Sequence, residues 1–239
     1  AVMVNLASAS ASEIYSAAIQ DYERGIVIGS TTTGKGTAQV QLDTLAYGQA
    51  TLTQRKFYRV TGGSTQNKGV VPDIKLVDIY NEEFGERKAK NALKWDTIPT
   101  APFKREGSVQ PYVQNLAQLS QQRVVNDPQF KYLEQRKAIA KKTDEQKRVV
   151  LDIDQRKAEL NALEQQTLES ENQRRAVTGQ KPYANWESYQ ASIDALIESR
   201  AKMKAAKRPA LAEEEVFVTE SAQVLLDYAK LQSTQASAQ

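Results

Sequence analysis

Residues 1–39, AVMVNLASASASEIYSAAIQDYERGIVIGSTTTGKGTAQ, carry the reading that decides the fold. Val2 to Val4 form an apolar run short enough for a buried strand. Ile14, Ala17, Ala18 and Tyr22 recur at helical spacing, and Gly25-Ile26-Val27-Ile28-Gly29 is a second apolar run bracketed by glycine. A strand-helix-strand unit of this kind makes a right-handed crossover between parallel strands. Both strands then end at one edge of the sheet, where open α/β sheets place their ligands. The segment after the first strand carries Ser10 at the mouth of the helix, and the segment after the second carries Lys35 between Gly34 and Gly36. Topology alone brings a hydroxyl and an amine to one edge.

That pairing has a chemical use. A serine hydroxyl is a weak nucleophile until a base takes its proton, and a desolvated, neutral lysine can serve. A serine at a helix N-terminus also lies beside unpaired backbone N–H groups, which can stabilise a developing oxyanion. Glycines on both sides of Lys35 permit close approach of the backbone. The chain has no histidine and no cysteine. Ser-His-Asp and Cys-His catalysis, histidine or thiolate metal sites and disulfides are thereby excluded. A Ser-Lys dyad is the main hydrolytic option left.

Ser8-Ala9-Ser10-Ala11-Ser12-Glu13-Ile14 followed by Gly34-Lys35-Gly36-Thr37-Ala38-Gln39 resembles the C-terminal processing peptidases, most closely the bacterial tail-specific proteases. Lys56-Phe57-Tyr58-Arg59-Val60, Gly62-Gly63-Ser64-Thr65-Gln66, Gly69-Val70-Val71-Pro72-Asp73-Ile74 and Asn91-Ala92-Leu93-Lys94-Trp95-Asp96 continue the resemblance in order. It is tight over about the first hundred residues and looser beyond. The resemblance implies Ser10 as nucleophile, Lys35 as general base, Gln39 as the residue that holds the lysine, and the Ala11 N–H as an oxyanion donor. A second oxyanion donor and a tail-binding PDZ domain are implied upstream. It further implies a crotonase-like protease core, no cofactor or metal, and endoproteolysis of proteins recognised through apolar C-terminal tails. The implied location is the bacterial periplasm, with association with the inner membrane, peripheral contact through the parent protein and a lipoprotein adaptor as further expectations. The first residue is not Met and the sequence opens on a core-like strand, so the chain reads as part of a longer protein, with little peptidase activity of its own.

Plainer readings compete. Ser10 and Glu13 spell a capping box, Ser-x-x-Glu opening a helix. Gly29 to Lys35 spells most of a phosphate-binding loop, but that motif needs Ser or Thr after the lysine and a helix straight after. Gly36 follows instead, and then Val40 to Val60, rich in Thr, Gln and β-branched residues, reads as a hairpin. The nucleotide reading fails on both counts. A non-catalytic scaffold, binding an adaptor or the rest of a protease, is the rival class.

Lys and Arg exceed Asp and Glu by 32 to 29, a formal charge of +3. Net charge therefore gives no argument for nucleic acid as a partner. No apolar run approaches the ~18 residues of a membrane span. The fold class read from the whole chain is an α/β core fragment, a βαβ unit plus hairpin, followed by an all-α domain. The boundaries are 1–80 for the core part with the dyad, 81–107 for a linker anchored by Leu93 and Trp95, and 108–239 for the helices. Val70 to Leu76 reads as a last strand, at an edge or start because of Pro72. Tyr47-Gly48-Gln49 reads as the hairpin turn, with Ala50, Leu52, Tyr58 and Val60 in phase, and Phe57 and Tyr58 as core. Tyr112, Leu116 and Leu119 mark one helix face, and Asn126-Asp127-Pro128 starts another helix with Phe130, Leu133 and Ile139. A long helix from Glu145 to Arg175 is expected, capped near Thr143 or Asp144, with Val150, Ile153, Leu160 and Leu163 inward. Gly179 to Pro182 breaks it, and Trp186 and Tyr189 open a helix through Met203. Lys202 to Arg208 is a basic run and Glu213 to Glu215 an acidic one. Thr219-Glu220-Ser221 is expected to cap a last helix carrying Val224, Leu225 and Tyr228, with Gln232 to Gln239 frayed.

Overall fold

The computed structural model describes residues 1–42, 47–80, 85–204 and 211–237. It folds as two compact units, residues 1–121 with 220–239, and residues 122–219.

In the first unit, β1 (Val2–Val4), α1 (Ala11–Asp21) and β2 (Val27–Gly29) form the expected crossover, with β1 parallel to β2 and Val4 opposite Gly29. Ile26, Val27 and Ile28 are buried, as a parallel strand covered on both faces requires. β3 (Thr37–Leu42) and β4 (Ala50–Lys56) make a separate antiparallel hairpin, and β5 (Ile74–Lys75) closes the parallel sheet in the order β1-β2-β5. The last strand is therefore shorter than Val70 to Leu76. Pro72 has no N–H for a ladder, and the pairing starts only where Asp73 meets Val27, donating its N–H to the Val27 carbonyl and accepting the Val27 N–H on Oδ2, each at 2.8 Å.

The inward face of α1 is not the apolar one. Glu13, Ser16, Ala17 and Asp21 are buried, whereas Ile14 and Tyr15 are 44% and 59% exposed. The buried polar side chains are all engaged. Asp21 takes both Nε and Nη2 of Arg59, and Ser16 Oγ donates to the Ser12 carbonyl at 2.8 Å. The hairpin likewise lacks a buried face. Leu52 is 54% exposed, Phe57, Tyr58 and Val60 are half-buried rather than core, and a bulge interrupts the register between Ala38 and Gln39. Tyr47 and Gly48 bend the chain as expected, while Asp43 lies outside the described residues.

The linker is irregular between Lys75 and Gln110 apart from a single turn at Glu86–Lys88, and residues 81–84 lie outside the described residues. Trp95 anchors it, donating Nε1–H to the Ser64 carbonyl at 2.8 Å under the Lys68 ammonium, 3.2 Å from the ring centre. Leu93 contributes its carbonyl, which accepts from Asn67 Nδ2, while its side chain is half exposed. Phe103 packs edge-on against Tyr22, and the Glu106 and Gly107 N–H groups both reach the Tyr22 carbonyl. In the same unit Tyr112 of α2 (Gln110–Asn126) meets Tyr228 of α6 (Ala212–Ser237) edge-on, beside fully buried Leu116 and Val224.

The second unit is helical. α3 (Pro128–Glu145) begins as read, with Asp127 capping the Gln129 and Phe130 N–H groups. The long helix does not begin at Glu145. Residues 146–152 are non-helical, and α4 (Ile153–Val177) starts at a cap made by Asp152, whose carboxylate accepts from Asp154 N and Gln155 N. Val150 precedes the helix, and Ile153 and Leu160 face solvent; its buried face is instead Leu168, Ser170, Glu171 and Arg174. α5 (Trp186–Lys202) opens at an Asn185 cap. α6 starts at Ala212, seven residues before Thr219, and remains helical to Ser237. The acidic run thus falls in the first turn, where the helix dipole favours negative charge. Within α6, Leu225 is exposed. Residues 205–208 of the basic run and the last two residues of the tail lie outside the described residues. Among the described residues no helix is long and apolar enough to cross a membrane.

Candidate active site

Ser10 sits at the strand-to-helix turn between β1 and α1 with φ 56° and ψ −112°. A non-glycine residue reaches such a conformation only when its surroundings hold it there, and such residues cluster at functional sites. What holds it is Glu13. The Ser10 N–H donates to Glu13 Oε2 at 2.8 Å, completing that arm of the capping box. The Glu13 N–H goes to the Ser10 carbonyl at 2.9 Å, and the Ser10 hydroxyl makes no cap bond of normal geometry. Ser10 and Glu13 thus form the reciprocal capping box that their spacing predicts, with the Ser10 side chain facing the Glu13 N–H.

Glu13 also reaches the other side of the site. Its Oε2 accepts the Lys35 N–H at 2.9 Å, and its Oε1 accepts the Gly34 N–H at 2.7 Å and the Thr32 hydroxyl at 2.5 Å. One fully buried carboxylate therefore takes four hydrogen bonds, and one of its oxygens holds the backbones of Ser10 and Lys35 together. Hydrogen bonds to a carboxylate are among the stronger ones, and a buried carboxylate without them is costly. A second carboxylate, Asp78, ties the same edge by accepting from Leu6 N at 2.8 Å and from the Ser30 hydroxyl.

From below, the lysine loop rests on residues 66–67. The Gly36 N–H donates to Gln66 Oε1 at 2.8 Å, and the Asn67 N–H donates to the Gly34 carbonyl at 2.8 Å. Gly34 has φ +88°, and a β-carbon on Gly36 would fall 2.4 Å from the Gln66 nitrogen. Both glycines are thus required by the path of the backbone. Gln66 is itself fixed by Glu86, which accepts from its Nε2 at 3.0 Å. Strand β3, not a helix, follows Lys35, so the loop departs from a phosphate-binding loop in structure as well as sequence.

Of the residues singled out in the sequence, the structure brings Ser10, Ala11 and Lys35 to one edge of the sheet. Lys35 is half-buried, and among the described residues its ammonium has no hydrogen bond or ion pair. Ala11 begins α1, and its N–H has no acceptor among the described residues, as befits the first turn of a helix. Gln39 lies on β3, and its Nε2 donates to Thr37 Oγ1 at 3.0 Å and Thr53 Oγ1 at 3.4 Å rather than to anything on Lys35. Glu13 enters sequence reasoning only as a helix cap, and Thr32 and Gln66 do not enter it as site residues. A cue for Glu13 is its place at i−4 from Ala17, on the side of the helix that faces the sheet. Among the described residues no cluster of acidic side chains could hold a metal ion.

Two family models divide the chain. Residues 1–76 match peptidase family S41, and residues 79–230 match the C-terminal domain of tail specific protease (DUF3340). The chain belongs to the tail-specific protease family. The tail-specific protease of Haemophilus influenzae is 40% identical over 193 residues, covering 75% of this chain and 28% of that protein. A carboxy-terminal-processing protease of Bartonella bacilliformis is 41% identical over 83 residues, 35% of this chain and 19% of that protein. The chloroplastic C-terminal processing peptidase of Tetradesmus obliquus is 40% identical over 76 residues, 31% of this chain and 16% of that protein. The chain thus spans little more than a quarter, at most, of the length of these curated relatives.

Proposed function

We propose that this chain carries the catalytic dyad of a tail-specific serine endopeptidase, on a crotonase-like core fragment spanning 1–80, joined through 81–107 to a helical domain spanning 108–239. The observation that carries the reading is the shared carboxylate, with the Ser10 and Lys35 N–H groups 2.8 and 2.9 Å from the same oxygen of Glu13. In the proposed reaction neutral Lys35 Nζ takes the proton of Ser10 Oγ as the oxygen attacks the scissile carbonyl. The negative carbonyl oxygen is met by the Ala11 N–H. The leaving amine departs with the proton returned by Lys35, and water then hydrolyses the serine ester with Lys35 again as base. Gln39 is proposed to hold Lys35 by turning its amide from Thr37 and Thr53 towards Nζ. No metal or cofactor takes part.

The substrates proposed are proteins with apolar C-terminal tails, met in the bacterial periplasm near the inner membrane, with a lipoprotein adaptor as delivery partner. The isolated chain is proposed to have little activity, consistent with its 28% share of its Haemophilus relative. The test is cleavage of an unstable reporter with an apolar C-terminus by the full-length protease and its Ser10→Ala and Lys35→Ala variants. Each substitution is expected to lower the rate by at least ~10³-fold with folding intact. Cleavage that survives both leaves Ser10 as a helix cap and the chain as a scaffold.

A further inference from the structure

The peptidase match ends at residue 76, yet one support of the lysine loop comes from beyond it. The single turn at Glu86–Lys88 belongs to the stretch that matches the C-terminal domain of tail specific protease, residues 79–230. It lies against Thr32 and Thr33, the two residues before Gly34. The Glu86 N–H donates to the Thr33 carbonyl at 3.1 Å, and Arg87 Nη2 donates to the Thr32 carbonyl at 3.2 Å. The Glu86 carboxylate reaches Gln66, accepting from its Nε2 at 3.0 Å. Gln66 is fully buried, and its Oε1 accepts the Gly36 N–H at 2.8 Å. Three groups thus stand in series, from the linker turn to the residue after Lys35.

The sense of these bonds matters. A side-chain amide has two ends of nearly equal size and opposite hydrogen-bonding character. With its NH2 turned to Gly36, Gln66 would set donor against donor and leave a buried N–H without an acceptor. An ionised carboxylate accepts and cannot donate, so the turned amide would also face Glu86 oxygen to oxygen. Both ends of the Gln66 amide are satisfied in one orientation and both are frustrated in the other. Lys35 sits between two such anchors. Glu13 holds its N–H and that of Gly34, and Gln66 holds the N–H of Gly36. With Gln66 out of register, the peptide that leaves Lys35 is free to turn, and a tilt there is carried along the side chain to Nζ.

Resting on the protease reading above, we infer that Glu86 is a positioning residue for Lys35, acting through the Gln66 amide and the Gly36 N–H. The protease site of this chain then takes one of its supports from the stretch that matches the C-terminal domain, not from the peptidase part. Glu86 touches no reacting atom. It sets where Nζ stands relative to the Ser10 hydroxyl, so its effect falls on proton transfer and not on the binding of substrate.

The test compares Glu86→Ala and Glu86→Gln in the full-length protease, with the unstable reporter as substrate. Glu86→Ala is expected to lower kcat by about 10–100-fold and to leave KM within about threefold of the parent, since a misplacement of about 1 Å can cost that much. Glu86→Gln should rescue the rate to within about threefold of the parent, because its amide oxygen still accepts from Gln66 Nε2. Hydrogen exchange at the Gly36 amide of this chain reads the clamp independently of catalysis. It should be about tenfold faster in Glu86→Ala and near the parent rate in Glu86→Gln. A kcat for Glu86→Ala within threefold of the parent, a loss that falls on KM, or Glu86→Gln as slow as Glu86→Ala overturns the inference. So does unchanged exchange at Gly36 in Glu86→Ala. Lys35→Ala in the same assay judges the dyad, and the Gly36 amide reports on Glu86 whatever that result, so either claim can fail alone.

Discussion

Two buried glutamates, one in each unit, do opposite jobs. Glu13 accepts its four bonds from uncharged donors spread over residues 10 to 35, drawing together a helix mouth and a loop. Glu171 pairs with a charged neighbour on its own helix, Arg174, at 2.6 and 2.9 Å, with the guanidinium lying 5.5 Å from the Tyr132 ring centre. The first carboxylate organises tertiary structure. The second neutralises charge on its own helix, with Arg175 also 3.9 Å away, and it is Arg174 that lies over Tyr132 of α3. Burial alone does not distinguish an organising group from a compensating one; the sequence distance of its partners does.

Replacement of Glu13 breaks or sharpens that contrast most strongly. Glu13→Ala strands three N–H groups and a hydroxyl, and is expected to cost about 3–5 kcal/mol. The chain has two tryptophans, and Trp95 falls in the first unit and Trp186 in the second. Denaturant unfolding followed by Trp95 in a Trp186→Phe background should therefore report the loss, while Trp186 in a Trp95→Phe background should not. A shift below ~1 kcal/mol at Trp95 removes Glu13 from the centre of the account.

Glu171 should behave differently in kind. Glu171→Ala takes the carboxylate from buried Arg174, which keeps Gln180 Oε1 at 3.4 Å and the Tyr132 ring, at a cost of about 3 kcal/mol, but Glu171→Leu with Arg174→Met should recover most of that, since two apolar side chains replace a buried ion pair. No double substitution of similar simplicity can rescue Glu13→Ala, because its donors are backbone. If the Glu171 and Arg174 double variant stays as unstable as the single one, the ion pair is organising after all and the contrast fails.

The smallest effect is at Asp96, on the surface of the first unit. The hydrogen bond from Lys56 holds its carboxyl below the ordinary value of 3.8. A depressed carboxyl adds stability that is present above the unfolded value and is lost as pH falls through the folded one. Asp96→Asn should therefore be slightly less stable than the parent at neutral pH, and the difference should vanish as the pH falls well below 3.8. A difference that stays constant down through the acid range assigns the effect to packing of the Trp95-Asp96 turn.

Much of this was legible in the sequence, for identifiable reasons. The apolar runs at Val2 and Ile26 and the glycines around Lys35 point to the crossover and to the edge that Ser10 and Lys35 share, because burial of short parallel strands leaves a local signature. Asp127-Pro128 gave the start of α3 for the same kind of reason. The face of α1 is legible only in part: Ala17 is buried as its spacing predicts, but Ile14 and Ala18 are exposed, since periodicity finds apolar residues and this helix buries carboxylates used in long-range bonds. The start of α4 was misplaced because Val149-Val150-Leu151 looks like a helix face, although Asp152 with Asp154 two residues on holds the cap. Of the four partners of Glu13, Ser10 lies three residues away and is legible as a capping box, but Thr32, Gly34 and Lys35 lie 19 to 22 residues away, beyond anything a local pattern reports.

The account rests on Ser10 as the nucleophile that Lys35 activates. The most direct measurement is capture of the acyl-enzyme, by mass spectrometry of the full-length protease mixed with a slowly deacylating ester of a peptide with an apolar C-terminus. One acyl group is expected on the peptide containing Ser10, absent in Ser10→Ala and formed at least ~10³-fold more slowly in Lys35→Ala. An adduct on any other residue, or one formed at the parent rate without Lys35, would contradict it.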